Sequence, residues 1–321
     1  MKPHRRIIEL LGEAQRADRC AIAPNSADHA ALLRRAHNGE IANPYRGLFA
    51  DAGYWSRLDP SQQALHMART LTLMHPRWVF AGPTAAAIHR FEHPWSIHGP
   101  GLYIADDVNG SGMRHNTRLH RVYMPSIPMW KVDGMRVTSA ARTLVDCGLL
   151  LPFTKALAIF DSAFRMTAVT DDEVMAICAG MRRDCTDVER LLAYTDARSD
   201  NGGESLIRGV MIEEGFAAPE LQQVFADPEN PSHQYRVDFM WRLPDGRIVV
   251  AEYDGMTKYV DPAMTDRRSI KAVVNQQTQR ERCLLAWGVN AIIRLDYDDA
   301  VNRASLVGKL LQIGVPRRGT A

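Results

Sequence analysis

The chain is predicted to adopt an α/β fold, α+β overall, and three observations carry that expectation. Capped helical segments alternate with short β-rich runs along all 321 residues. Near the C-terminal end two strongly apolar runs, 235–242 and 247–254, flank a Pro-Asp-Gly turn at 244–246. The composition, 46% hydrophobic and 24% charged, is that of an ordinary globular chain. The length exceeds what one hydrophobic core usually serves, so two or three compact units are expected.

The first segment, residues 1–60, starts basic, but Glu9 interrupts its apolar stretch, which does not suit a signal peptide. Residues 26–37 read as a helix with Ser26 as N-cap and Asp28 in the dipole-favoured first turn. Residues 40–50 read as two short strands around an Asn43-Pro44 turn. Helix, turn and small β-wing is the order of a winged helix, with Arg34, Arg35 and Arg46 as the phosphate-facing charges. An ordinary short helix plus hairpin fits the same residues.

The middle segment, 61–198, is mixed α/β. Helices are expected over 62–74, 83–90, 139–150 and 154–165, with a further one opened by the Thr170–Glu173 capping box. Strands are expected at 101–105, 117–123 and 134–137. The basic stretch Arg114–Arg121 reads as the wet face of an antiparallel sheet, with phosphate contact as the alternative. His89, His93 and His98 have loosely metal-like spacing, but without cysteines or clustered acids they read as surface or capping histidines. Residues 196–203 form a polar, turn-rich linker into the third segment, 199–321.

Several classes are excluded. The formal charge is only +2, so any nucleic-acid surface must be a local patch. Five scattered cysteines support neither a zinc module nor a disulfide framework, and point to the reducing cytoplasm. No apolar run is long enough to span a membrane. No P-loop and no nucleophile-elbow motif occurs.

The chemistry-bearing residues gather in the third segment. With the hairpin centred on Asp245, Leu243 faces Arg247, and counting outward sets Asp238 opposite Glu252 on one face. Opposed Cβ atoms lie roughly 4.5–5.5 Å apart. Two like charges at that spacing, on strands as apolar as these, call for a positive partner. A hard cation, Mg²⁺ or Mn²⁺, suits an all-oxygen site, whereas a solvated sheet face would need none. Asp254 falls on the same face two residues on. Lys258 can reach back past Gly255, and Glu204 supplies a carboxylate from the preceding helix. These are the parts of metal-assisted phosphodiester hydrolysis.

The order Gly203-Glu204-Ser205, Arg236-Val237-Asp238, Ala251 to Gly255 with Lys258-Tyr259, and Gln279 to Arg282 leading to Trp287 and Arg294 resembles a known family. It is that of the DUF559 / very-short-patch-repair-like branch of the PD-(D/E)XK nuclease superfamily. The resemblance covers about residues 201–300. It implies a restriction-endonuclease-like mixed sheet flanked by helices, with Asp238 and Glu252 as metal ligands and Glu204 as the helix acid. Arg280, inside that motif, is expected at the nucleic acid. The usual lysine two positions after the catalytic glutamate is Asp254 here, leaving its role to Lys258. Gln277-Thr278 stands where relatives often carry Glu-Lys, and the Gln277 amide can still bind metal or phosphate. Residues 46–49 and 138–146 are similar to AbiEi-type antitoxins, a winged-helix family tied to abortive-infection toxin–antitoxin systems.

Two functions follow as expectations. One is a DNA-binding protein with a Mg-dependent nuclease-like domain, in phage defence or DNA processing. The other is a non-catalytic antitoxin or transcriptional regulator, with DNA and a cognate toxin protein as partners.

Overall fold

The computed structural model describes residues 5–108, 118–228, 230, 232–255 and 270–318, without the side chains of 270–277. Helices and sheets are both abundant, and the fold is α/β as expected. The chain forms two compact units, one of residues 1–152 and 166–193, the other of 153–165 and 194–321. The expected boundary after residue 60 falls inside the first unit, and that after 198 falls a few residues inside the second.

The first unit begins with α1 (Arg5–Arg16), β1 (Ala21–Ile22), α2 (Ser26–His37), β2 (Ile41–Tyr45) and β3 (Leu48–Asp51). The three strands form a sheet in the order β1-β3-β2, and Ile7, Leu32, Ile41 and Phe49 close a small core beneath it. This is a helix-plus-wing module. Two local expectations are corrected. Asn25, not Ser26, caps α2, its side chain accepting the Asp28 N–H at 2.9 Å. The wing reverses at Arg46-Gly47, because Asn43 and Pro44 stay in β2 and the Asn43 amide bonds across to Leu48 O at 2.7 Å.

The unit continues through α3 (Ala52–Trp55), α4 (Pro60–Met74), α5 (Gly82–Ile88), β4 (Leu102–Asp106), β5 (Leu119–Tyr123), β6 (Met129–Val132), β7 (Met135–Thr138) and α6 (Ala140–Leu150). Phe80, Leu71, Ile88, Leu102, Ile104 and Val137 form its main core. The basic stretch at 114–121 is described only from Arg118 on. There β5 runs parallel to β4 rather than antiparallel. His93 and His98 face each other, with their Nε2 atoms 2.8 Å apart in a partly buried contact. Helix α7 (Phe153–Met166) belongs up to Arg165 to the second unit. Helices α8 (Asp171–Ala179), with the expected capping box, and α9 (Thr186–Tyr194) belong up to Ala193 to the first.

The second unit adds α10 (Gly202–Glu213), β8 (Glu220–Ala226), β9 (Gln234–Arg242), β10 (Ile248–Tyr253), α11 (Ile270–Ala286), β11 (Val289–Leu295), α12 (Tyr297–Val301) and α13 (Arg303–Gln312). Its sheet has the order β11-β10-β9-β8 and is mixed: β8, β9 and β10 alternate in direction, while β11 runs parallel to β10. One face packs Phe239, Trp241 and Val249 against Ile207 and Met211 of α10 and Leu306 and Leu310 of α13. The other packs Met240 and Val250 against Leu284 of α11. Helices thus cover both faces of the central strands. Among the described residues no helix is long and apolar enough to cross a membrane.

Candidate functional site

The hairpin between β9 and β10 sets the register of the site. Leu243 N–H donates to Arg247 O at 2.8 Å, and the ladder runs through Arg242↔Ile248 and Trp241↔Val249 to Phe239↔Ala251. Gly246 turns the chain with φ +86°, a left-handed value that a residue without a Cβ adopts freely. Asp238 and Glu252 come one step further out on their strands, beyond the last ladder pair. Tyr253 N–H donates to the Asp238 carboxylate (Oδ2) at 2.8 Å, so that side chain takes up a strand donor.

Glu204 approaches from α10. Asn201 caps that helix, accepting from Gly203 N–H and Glu204 N–H, each at 3.0 Å. The Glu204 carboxylate reaches back to Asp200 N–H at 3.0 Å and to the Asn201 amide at 2.6 Å. Gly203 is required by contact: a Cβ there would come within 2.5 Å of the Tyr253 ring. The helix start and the end of β10 are therefore pressed together, which brings Glu204 to the sheet.

Gln222, on β8, completes the group. Its Nε2 donates to Glu204 Oε2 at 2.9 Å and to Asp238 Oδ1 at 3.2 Å. Sequence reading missed it, because a glutamine in a short strand carries no motif. The signal that finds it is structural: a side-chained residue at φ +53° in mid-strand.

Electrostatics mark the same place. Burial, reinforced by the Asp238 charge, pushes the Glu204 carboxyl up to about 7. Burial also raises Glu252, with Arg280 opposing the rise and Asp238 adding to it. Arg280, expected at the nucleic acid, instead donates to Glu252 and to Arg236 O, and its side chain is only 28% exposed. An acid buried beside other acids draws the nearest guanidinium inward.

The remaining candidates separate. Asp254 is held by Arg294 at 3.1 Å on β11, because the parallel register sets Arg294 beside Glu252 and within reach. Lys258 lies outside the described residues, as does the side chain of Gln277. Arg34 and Arg46 are exposed on the helix-plus-wing module. Arg35 is a correction: it is buried on the inner side of α2 and paired with Glu40 at 3.1 Å, which removes it from a phosphate-facing surface.

Among the described residues no three histidine, cysteine or carboxylate side chains converge closely enough to hold a metal ion by themselves. The donor set still fits a magnesium-type cation, which keeps several waters and takes one or two protein carboxylates besides substrate oxygens. Asp238 and Glu252 could supply the two carboxylates. The buried Gln222 Oε1 has no hydrogen-bond partner among the described residues.

No family model matches the chain. Two proteins of Mycobacterium tuberculosis are similar to it: uncharacterized protein Rv2248 of strain H37Rv and uncharacterized protein MT2308 of strain CDC 1551. Each is 31% identical over 186 residues, which cover 56% of this chain and 64% of the relative. The chain thus spans less than two thirds of the length of these curated relatives.

Proposed function

We propose that the second unit hydrolyses phosphodiester bonds of DNA with Mg²⁺ (or Mn²⁺) held by Asp238 and Glu252. The observation that carries this reading is the half-buried acidic pair Asp238 and Glu252 at the end of the β9–β10 ladder, with a third carboxylate, Glu204, tied to Asp238 through Gln222. When bound, the cation supplies an activated water and charge neutralisation at the scissile phosphate. The chain's own groups do the rest. Glu204, raised to about 7, can hold or release a proton near neutrality. Arg280 offers a guanidinium to a phosphate oxygen, and Lys258 and Gln277 keep their expected supporting roles. Arg34 and Arg46 give the helix-plus-wing module its contact with the DNA backbone. The whole serves phage defence or DNA processing. Five free, buried thiols support a cytoplasmic setting.

A second reading is favoured by one observation: Arg280 already neutralises Glu252, and Arg294 engages Asp254. The unit would then be a non-catalytic nucleic-acid platform in an antitoxin or transcriptional regulator, with a cognate toxin protein as partner.

A cleavage assay on single- and double-stranded DNA with Mg²⁺ and Mn²⁺ separates the two. The enzyme reading expects cutting that Asp238→Ala and Glu252→Ala each reduce by more than about 100-fold. Wild type and variants equally inert, with DNA affinity intact, would leave the platform reading. For the module, Arg34→Ala with Arg46→Ala should lower the slope of log affinity against log salt by about 2. An unchanged slope removes it from the DNA interface.

A further inference from the structure

We propose that Gln222 is the positioning residue of the acidic site: it sets the Asp238 and Glu204 carboxylates for a divalent cation. This rests on the metal-site reading above and deepens it.

The first ground is backbone strain. In the β8–β9 ladder Leu221 pairs with Phe239 and Gln223 with Val237, so Gln222 stands opposite Asp238. Its φ of +53° is a left-handed conformation that glycine or asparagine adopts far more readily than glutamine. Residues held this way persist where the surroundings over-determine them, and they cluster at functional sites. The strand also changes face there. Leu221 and Phe239 pack in the core with α10, whereas Phe225 and Val237, of the same parity, pack with Leu284 of α11.

The second ground is chemistry. One uncharged –NH₂ group links two acids from different elements, α10 and β9. A lysine or arginine at this position would also hold both, but it would cancel the negative charge a cation needs. Glutamine orders the acids and leaves that charge in place. Because both carboxylates accept, the amide nitrogen must face them, and this assigns the flip. The amide oxygen is then left buried with no hydrogen-bond partner among the described residues.

The test is Mn²⁺ affinity by calorimetry on the full chain without DNA, with thermal melts to confirm folding. Gln222→Met should weaken Mn²⁺ binding about 10- to 100-fold, the usual effect of losing a group that orients metal ligands. Gln222→Gly should lose as much affinity although it relaxes the backbone, and it keeps the comparison open if the Met side chain unsettles the fold. Wild-type affinity in both variants, with binding lost in Asp238→Asn, overturns the role of Gln222 and leaves the metal site standing. No Mn²⁺ uptake by wild type, or undiminished uptake by Asp238→Asn, overturns the metal site and this proposal with it.

Discussion

One helical turn apart on α10 sit two buried charged groups built on opposite plans. At Arg208 every charge meets its opposite. The guanidinium pairs with Asp161 of α7 at 2.6 Å, with side chains 4% and 0% exposed. Asp161 also accepts Asp196 N–H at 2.8 Å, and Arg208 donates to Tyr194 O at 2.7 Å. At Glu204 the acids outnumber the bases among the described residues. Arg280 pairs with Glu252, and Gln222 joins Glu204 to Asp238 without adding charge. A matched pair ties elements of the fold together. An unmatched cluster gives up stability and gains a place for a cation from outside.

The comparison predicts unequal outcomes for removing one acid from each group. Asp161→Ala strands a buried guanidinium and should cost about 3–5 kcal/mol in chemical denaturation. A loss below about 1 kcal/mol would show that the pair does not hold the unit together. Asp238→Asn removes repulsion but turns one of its two acceptors into an NH₂, so the loss should stay below about 2 kcal/mol, well short of Asp161→Ala. If it unfolds the protein as Asp161→Ala does, the acidic cluster is structural and the contrast collapses.

The smallest effect lies in pH dependence. The Glu204 carboxyl is raised in the folded chain from 4.5 to about 7, chiefly by burial and then by Asp238. The folded state therefore holds this proton more tightly than the unfolded one. The associated stability is complete below the ordinary value and is lost as pH rises through about 7. Melts in chelator across that window should decline less in Glu204→Gln than in wild type. Identical profiles would mean that Glu204 is ionised and well solvated, contrary to the unmatched plan.

The legible part of the site is the part set by neighbours in the chain. Pro244, Asp245 and Gly246 dictate a tight turn, and counting out from it gives the register as far as Phe239 and Ala251. Glu204 was legible as the acid of a capped helix. Gln222 was not, since its left-handed backbone and its reach to two acids exist only once β8 lies beside β9 and α10. Arg280 and Arg35 were both read as nucleic-acid contacts. Each turned towards a carboxylate, Glu252 and Glu40, because pairing with a nearby acid outweighs solvation of a lone guanidinium near buried surface. The attachment of α7 to the second unit was equally hidden, as it depends on Asp161 meeting Arg208 across 47 positions of chain.

The amino-acid sequence by itself determined the α/β character, the helix and hairpin near the start and the β9–β10 hairpin with its register. Each follows from propensity, turn chemistry or alternation over a few residues. Tertiary structure alone decided which charges are cancelled and which are left over. That balance depends on burial and on partners brought together from distant segments, where desolvation makes an unmatched carboxylate costly and a matched one cohesive.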